Sequence, residues 1–413
     1  VQNISYFCIV KRFKAYLRIL ISVVFVFLTT TSTAPVSAAE HNGNDLGQVK
    51  VSLLTCSGGQ EIWSVFGHTA LRLQDPRHGV DVAVNWGLFS FSQKFFIARF
   101  IFGRCDYQLG IEPFGAFLEE YREEGRGVVE QEVNLTPEEK GAIMQALLEN
   151  YREDNRTYRY NFFYDNCTSR ARDMIVDHIN GQVDYHFDPE VTSSYRTMVH
   201  QWNYTHRWQQ FGEDLLLGVA ADSRTDGKQQ QFLPDTLRKD FARATVVRAG
   251  NRVTPLVGST QNVLLPVEVA QGSGFWHVMT PRLLFLILLF AGIAVSVVEF
   301  RRCRFYWGID LALYLLCGVA GLALFLMIFS QHPTVRVNLQ ILILNPLWLV
   351  FIWSAVGHWR RGEEATRWRK FVSVCLLLFC LGAFFQNYAE GMVELALLLL
   401  IRNYIRLLRR KLS

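Results

Sequence analysis

Residues 281–304 read PRLLFLILLFAGIAVSVVEFRRCR. No ionisable side chain occurs from 283 to 298, and three arginines (Arg301, Arg302, Arg304) follow at once. An apolar run that ends in a basic cluster is the signature of a membrane-spanning helix whose far end faces the cytoplasm. Four more apolar runs follow, at about 309–329, 339–356, 371–385 and 392–401, of which the last two are short. Arg360, Arg361, Arg367, Arg369 and Lys370 follow the third run, and Arg402, Arg406, Arg409, Arg410 and Lys411 follow the last. The loops on the opposite side carry only Arg336. The bias of basic residues predicts five spans and puts the chain from about 40 to 280 outside the cytoplasm.

The N-terminus agrees. Lys11, Arg12, Lys14 and Arg18 precede an apolar run at 19–28, and Val36-Ser37-Ala38 has the small-residue pattern of a cleavage site. This reads as a signal peptide over residues 1–39, with an uncleaved signal anchor as the alternative. Residues 40–250 are then an exported domain, 251–282 a linker and 283–413 an all-α transmembrane domain. Half of the 413 residues are hydrophobic, an ordinary fraction that conceals this division. The formal charge of +5 has its excess beside the apolar runs, which argues against nucleic acid as a partner.

Within the exported part, 49–54 is a short apolar run leading into the turn at Cys56-Ser57-Gly58-Gly59. The alternation at 68–73, the turn residues Asp75-Pro76 and His78-Gly79, and the run at 80–86 predict a β-hairpin. It carries His68 near one end and Asn85 near the other. Residues 116–121 read as helix and 128–135 as strand. Thr136-Pro137-Glu138-Glu139 is a capping box with proline at the first helical position, opening a helix that continues through Ile143, Leu147 and Leu148. Residues 158–164 form a β-rich run. From Cys167 the pattern turns helical, with Ala171, Met174, Ile175 and Ile179 on one face and Asn180-Gly181 as the stop. The fold class is α+β, and residues 222–231 and 250–280 read as loop and linker.

Only Cys56, Cys105 and Cys167 fall in the exported domain, an odd number in an oxidising compartment. Cys167 stands in the first turn of its helix, where the helix dipole and unpaired N–H groups favour a thiolate and can stabilise an oxyanion. An imidazole to take the proton and an amide to orient it would complete an activated nucleophile, and Cys167, His68 and Asn85 form such a set. Alternatives stay open. Cys167 can be packing, and His68 and Asn85 structural. Cys56 is a rival nucleophile, unless it is bridged to Cys105, which would leave Cys167 as the free thiol. No CxxC spacing or paired histidines indicate a metal, and no cofactor is expected. His332, in an outward loop at the bilayer edge, is a further supporting candidate beside a plain loop-cap reading.

The order of these parts, histidine strand first and Asn-Cys helix start much later, resembles the circularly permuted papain-like fold of the NlpC/P60 superfamily. More closely, the chain resembles Lnb-type lipoprotein N-acyltransferases. The stretches concerned are Leu53-Leu54-Thr55-Cys56, Phe66-Gly67-His68-Thr69-Ala70, Val84-Asn85-Trp86-Gly87 and Phe163-Tyr164-Asp165-Asn166-Cys167-Thr168. Phe211-Gly212, Leu215-Leu216-Leu217-Gly218, His332-Pro333 and Leu344-Asn345-Pro346-Leu347 extend the resemblance into the membrane half. Cys105 departs from the family pattern. The resemblance implies Cys167 as nucleophile, His68 as base and Asn85 as orienting group, with Asn166 and Cys56 in support. It also implies a phospholipid acyl donor and a diacylated lipoprotein acceptor at the bacterial inner membrane. The aromatic and basic stretch 89–102 is expected either to dip into the headgroup layer or to be buried strand and helix. The competing readings are a membrane-tethered cysteine peptidase or amidase acting on cell-wall peptides, and a binding factor that keeps the fold without chemistry.

Overall fold

A computed structural model describes residues 45–61, 64–89, 94–95, 98–99, 102–188, 193–267 and 278–412. The expected signal segment lies outside them, and so does much of the stretch 89–102.

The exported part is built on an antiparallel sheet. Its strands are β1 (Lys50–Cys56), β2 (His68–Asp75), β3 (Val80–Leu88), β4 (Asp106–Pro113), β5 (Val128–Val133), β6 (Thr157–Arg159) and β7 (Val257–Leu264), in the spatial order β7-β5-β1-β2-β3-β4-β6. β1 lies inside the sheet, between β5 and β2, and is buried along nearly its whole length, Ser52 and Thr55 included. The predicted hairpin is β2–β3. Its turn is held by Asp75, which accepts hydrogen bonds from the Arg77 N–H (3.2 Å) and His78 Nδ1 (2.6 Å), with Gly79 at positive φ.

The sheet has two cores. Val51, Leu53, Leu71, Val84 and Trp86 on one face meet Ile143 and Leu147 of α2 (Pro137–Tyr151) and Ala171 and Ile175 of α3 (Cys167–Val176). Leu54, Cys56, Ala70 and Ala83 on the other meet Phe114, Phe117 and Tyr121 of α1 (Phe114–Glu123). The α2 capping box forms as its sequence requires. Thr136 Oγ1 accepts from the Glu139 N–H, and Glu139 returns the bond to the Thr136 N–H at 2.8 Å. Glu139 is fully buried, and it also accepts from the Asn180 N–H and pairs with Arg248.

Three expectations for the exported part need correction. The stretch from about 251, expected as linker, holds a strand at Arg252–Pro255 and then β7, which pairs with β5 and extends the sheet. Its side chains are mostly polar and exposed, so no apolar alternation marks it. The loop expected at 222–231 contains a short strand (Arg224–Thr225) and one helical turn (Gly227–Gln230). The β-rich run at 158–164 is a strand only as far as Arg159. Beyond it the chain turns back on itself, with Asn161 and Asp165 bridged, as Asn161 and Asp165 favour.

Helices α4 (Tyr195–Asn203), α5 (Arg207–Leu216) and α6 (Pro234–Arg243) complete the exported part. The C-terminal region is helical: α7 (Pro281–Arg302), α8 (Trp307–Met327), α9 (Trp348–Arg360), α10 (Thr366–Gly382) and α11 (Met392–Leu412). Among the described residues, α7 and α8 alone are long and apolar enough to cross a membrane by length and composition. The expected third span, 339–356, does not form one helix. A 3-10 turn at Leu339–Leu342 precedes the 13-residue α9. Pro346 lacks an N–H and disfavours helix at Asn345, whose Oδ1 instead accepts from the Leu347 N–H. The bundle core centres on Tyr314, Trp348 and Trp368, packed edge to face.

Hydrogen bonds fasten the exported part to this bundle. The Asn338 amide donates to Leu215 O (2.7 Å), Gln340 to Asp214 O (2.9 Å) and Gln386 to Leu217 O (3.0 Å). Two backbone bonds join them, from Gly218 N–H to Thr334 O (2.7 Å) and from Val219 N–H to Val337 O (2.8 Å).

Candidate active site

α3 begins at Cys167 because Asn166 caps it. The Asn166 Oδ1 accepts from the Thr168 and Ser169 N–H groups, both at 2.9 Å. Its Nδ2 donates to Phe162 O (2.8 Å) and Phe232 O (2.9 Å), so the cap is itself pinned from two sides. Asn166 is thus a positioning residue, buried and saturated. Its capping also revises the oxyanion expectation. The N–H groups of Thr168 and Ser169 are taken, whereas Cys167 stands at the first helical position, where a backbone donor has no intrahelical acceptor.

His68 opens β2 just after Gly67. Gly67 has φ +80°, and an added Cβ there would lie 2.5 Å from Cys56 O, so only glycine fits this entry. His68 Nε2 lies 2.8 Å from Asn85 Oδ1, and the Gly87 N–H reaches the same oxygen at 2.7 Å. An amide oxygen only accepts, so Nε2 carries the proton and Nδ1 is left for the thiol. The β3–β4 register shifts between Asn85 and Leu88, a bulge that turns the chain beside Asn85. Gly87 is sterically required. A Cβ there would sit 2.7 Å from His68 Cε1 and 2.9 Å from Asn85 Oδ1.

Cys167 is half-buried, with its Sγ hydrogen-bonded to His68, facing the Thr69 N–H and lying 3.9 Å from the Thr168 hydroxyl. Burial alone would raise its pKa. The His68 charge and hydrogen bond, the Thr69 N–H and the Thr168 hydroxyl outweigh burial and bring it down to about 7. Burial likewise works to lower the His68 pKa, but the Cys167 charge and the bonds to Cys167 and Asn85 raise it. Both shifts favour a thiolate–imidazolium pair. The structure therefore brings together the expected Cys167, His68 and Asn85.

Cys56 is different. It lies opposite His68 in the β1–β2 pair but is packed in the α1-side core, and burial pushes its thiol up to about 12. It is not bridged to Cys105, since both are free thiols. The described residues contain no group of His, Cys, Asp and Glu that could hold a metal. His332 is not part of the triad. It packs against Gly103, where an added Cβ would lie 2.9 Å from its Cδ2, and burial lowers its pKa. Beside it the Gln331 N–H donates to Phe102 O, and Arg159 donates to the Gln331 side chain at 3.2 Å.

Sequence reasoning missed several neighbours. Thr69 bonds Thr168 across the β2–α3 contact at 3.1 Å. Tyr107 stacks on Tyr160 at 4.1 Å and on Phe89 at 4.9 Å, making an aromatic wall whose two tyrosines feel the Cys167 charge. Arg126 is buried, donates to Ser57 O at 2.8 Å, and opposes protonation of His68. Thr168 could have been found from its place after Asn-Cys. Arg126 and the tyrosines carry no local signal.

Residues 37–201 match the Lnb N-terminal periplasmic domain, and residues 272–412 match the Lnb transmembrane domain. No curated protein and no solved structure matches the chain.

Proposed function

This chain belongs to the Lnb family, a membrane protein with a periplasmic domain, and from that premise and the site geometry we propose that it is a thiol-dependent lipoprotein N-acyltransferase. Family membership already suggests a lipoprotein N-acyltransferase type of enzyme. The mechanism is our reading, and the observation that carries it is the Cys167–His68–Asn85 set around a half-buried cysteine.

The Cys167 thiolate attacks the carbonyl carbon of a phospholipid ester. The Cys167 N–H is placed to stabilise the oxyanion. As the tetrahedral intermediate collapses, the imidazolium of His68 gives its proton to the departing lysophospholipid oxygen, leaving a thioester and a neutral imidazole. The free α-amine of a diacylglyceryl-cysteine then attacks the thioester. His68 takes the amine's proton, the amide forms and Cys167 leaves as thiolate. Asn85 holds the imidazole throughout. The aromatic wall of Tyr107, Tyr160 and Phe89 gives the acyl chain an apolar bed.

In this reading residues 1–39 direct export, the C-terminal helices cross the inner membrane several times, and the catalytic domain is a permuted papain-like unit running on through β7. What supports the permutation is the chain order, with the histidine strand preceding the cysteine helix.

The test uses phospholipid labelled in its acyl chain. Given this donor alone, the protein should take up label that hydroxylamine releases, and adding a diacylated lipopeptide with a free N-terminus should move the label to its amine. Cys167-dependent cleavage of cell-wall peptides with no lipid-derived label would replace the acyltransferase with the peptidase.

A further inference from the structure

Away from Cys167, a polar cavity of about 170 Å³ lies between α4, α5, the start of α7 and the α10–α11 connection. Its wall carries both signs of charge. Arg207 pairs with Glu390 at 2.5 Å, and Arg282 approaches Glu394 at 3.5 Å and Glu390 at 3.9 Å. His200 Nε2 reaches both oxygens of the buried Asp214 at 2.9 Å. Gln210 also lines the cavity, and its buried Oε1 has no hydrogen-bond partner among the described residues. An unsatisfied buried acceptor is costly and calls for a donor. The two guanidinium groups remain substantially exposed and keep donors to spare.

Tyr388 lines this cavity and also a second one, an apolar groove of about 480 Å³ between α10 and α11. Val393, Leu397 and Leu400 along α11 wall the groove, down to Tyr404. From Val393 to Tyr404 a helix rises about 16 Å, close to one leaflet of a hydrocarbon core about 30 Å thick. Polar chamber above and apolar groove below, joined at one tyrosine, have the shape and polarity of a single lipid.

We propose that the cavity bounded by Arg207, Arg282, Gln210 and Glu390 and the groove that shares Tyr388 with it form one binding site for a phospholipid with a primary-amine headgroup, separate from the catalytic cysteine. The phosphate lies against Arg207 and Arg282. The ammonium donates to Gln210 Oε1 and faces Glu390, and one acyl chain fills the groove. A diacylglyceryl-cysteine offers an ammonium but no phosphate, so it would leave the two arginines unused. The inference rests on the membrane reading of the C-terminal helices but not on acyl transfer.

The experiment uses full-length Cys167→Ala protein, so that no thioester is scored. It is equilibrated with nanodiscs of equal mole fractions phosphatidylethanolamine, phosphatidylglycerol and phosphatidylcholine, and retained lipid is read by native mass spectrometry. One phosphatidylethanolamine per chain should be retained, at least fivefold over either competitor. The double change Arg207→Gln with Arg282→Gln should lower that occupancy at least fivefold. Leu397→Trp, an exposed groove position unconnected to the charged cluster, should lower it separately and guards against a folding failure in the double variant. Retention that follows nanodisc composition would mean annular lipid only and overturn the site. Equal retention of phosphatidylglycerol would overturn the amine headgroup, and occupancy unchanged in both variants would overturn the location. Acyl transfer, assayed separately with Cys167 restored, can fail without touching any of these outcomes.

Discussion

Cys56 and Cys167 are the same side chain at two places in one domain, and their surroundings push them in opposite directions, Cys56 up to about 12 and Cys167 down to about 7. Burial acts upward on both. Cys56 ends a strand against Phe114, Phe117 and Tyr121, where burial dominates. Cys167 begins a helix beside a protonatable ring that Asn85 holds in place. The contrast teaches that the lowered thiol pKa of Cys167 comes from a partner ring held in place, not from being a cysteine in an exported domain.

The harshest test of this contrast exchanges the roles. Cys167→Ser removes the sulfur, so it should lower acyl uptake from phospholipid by about 10⁴-fold or more, with membrane accumulation intact on immunoblots. Full activity in that variant, with none in Cys56→Ser, would move the nucleophile to Cys56. His68→Ala should cost about 10³-fold, and its diagnostic reading is alkylation of Cys167 by iodoacetamide against pH. A depressed acid is charged above its folded pKa, so in the native protein the alkylation rate should fall as pH drops through about 7. Without the imidazole, burial is left to dominate and the midpoint should rise above 9.0. A midpoint still near 7 would break the proposed pairing.

Smaller effects sharpen the same comparison. Gly87→Ala forces a methyl against the His68 ring, and displacing the base by a fraction of an ångström should lower the rate by about 10²-fold. The circular dichroism spectrum should stay native; a native rate would show that Gly87 does not set the ring's position. Asn85→Ala should slow thioester formation by about 10-fold, less than His68→Ala because the proton acceptor survives. Cys56→Ala should keep most of the activity and lose about 1 kcal/mol of stability from the vacated core space, read as a lowered Tm.

The elements that could be read along the chain are those whose cause is local. Thr136 and Glu139 specify a helix start within four residues, and Asn166 does the same for the cysteine helix. His68 and Asn85 were legible because a hairpin is a local object. β7 was not, since its polar residues join the sheet only through β5, more than a hundred residues away. The third apolar run was misread because apolar content says nothing of Asn345-Pro346 breaking the helix. Arg126, Tyr107 and Tyr160 come to the site through tertiary packing, and no spacing announces them.

The amides of Asn338, Gln340 and Gln386, fixed to the carbonyls of Asp214, Leu215 and Leu217, have one more consequence. They act as bolts rather than a leash. A tethered domain would sweep a hemisphere, whereas this one is held in one heading against the helical bundle. Under the proposed acyl transfer, the sulfur would not go down to its ester. The ester carbonyl would climb to the sulfur, and the search for each substrate would be a two-dimensional one, run in the plane of the membrane.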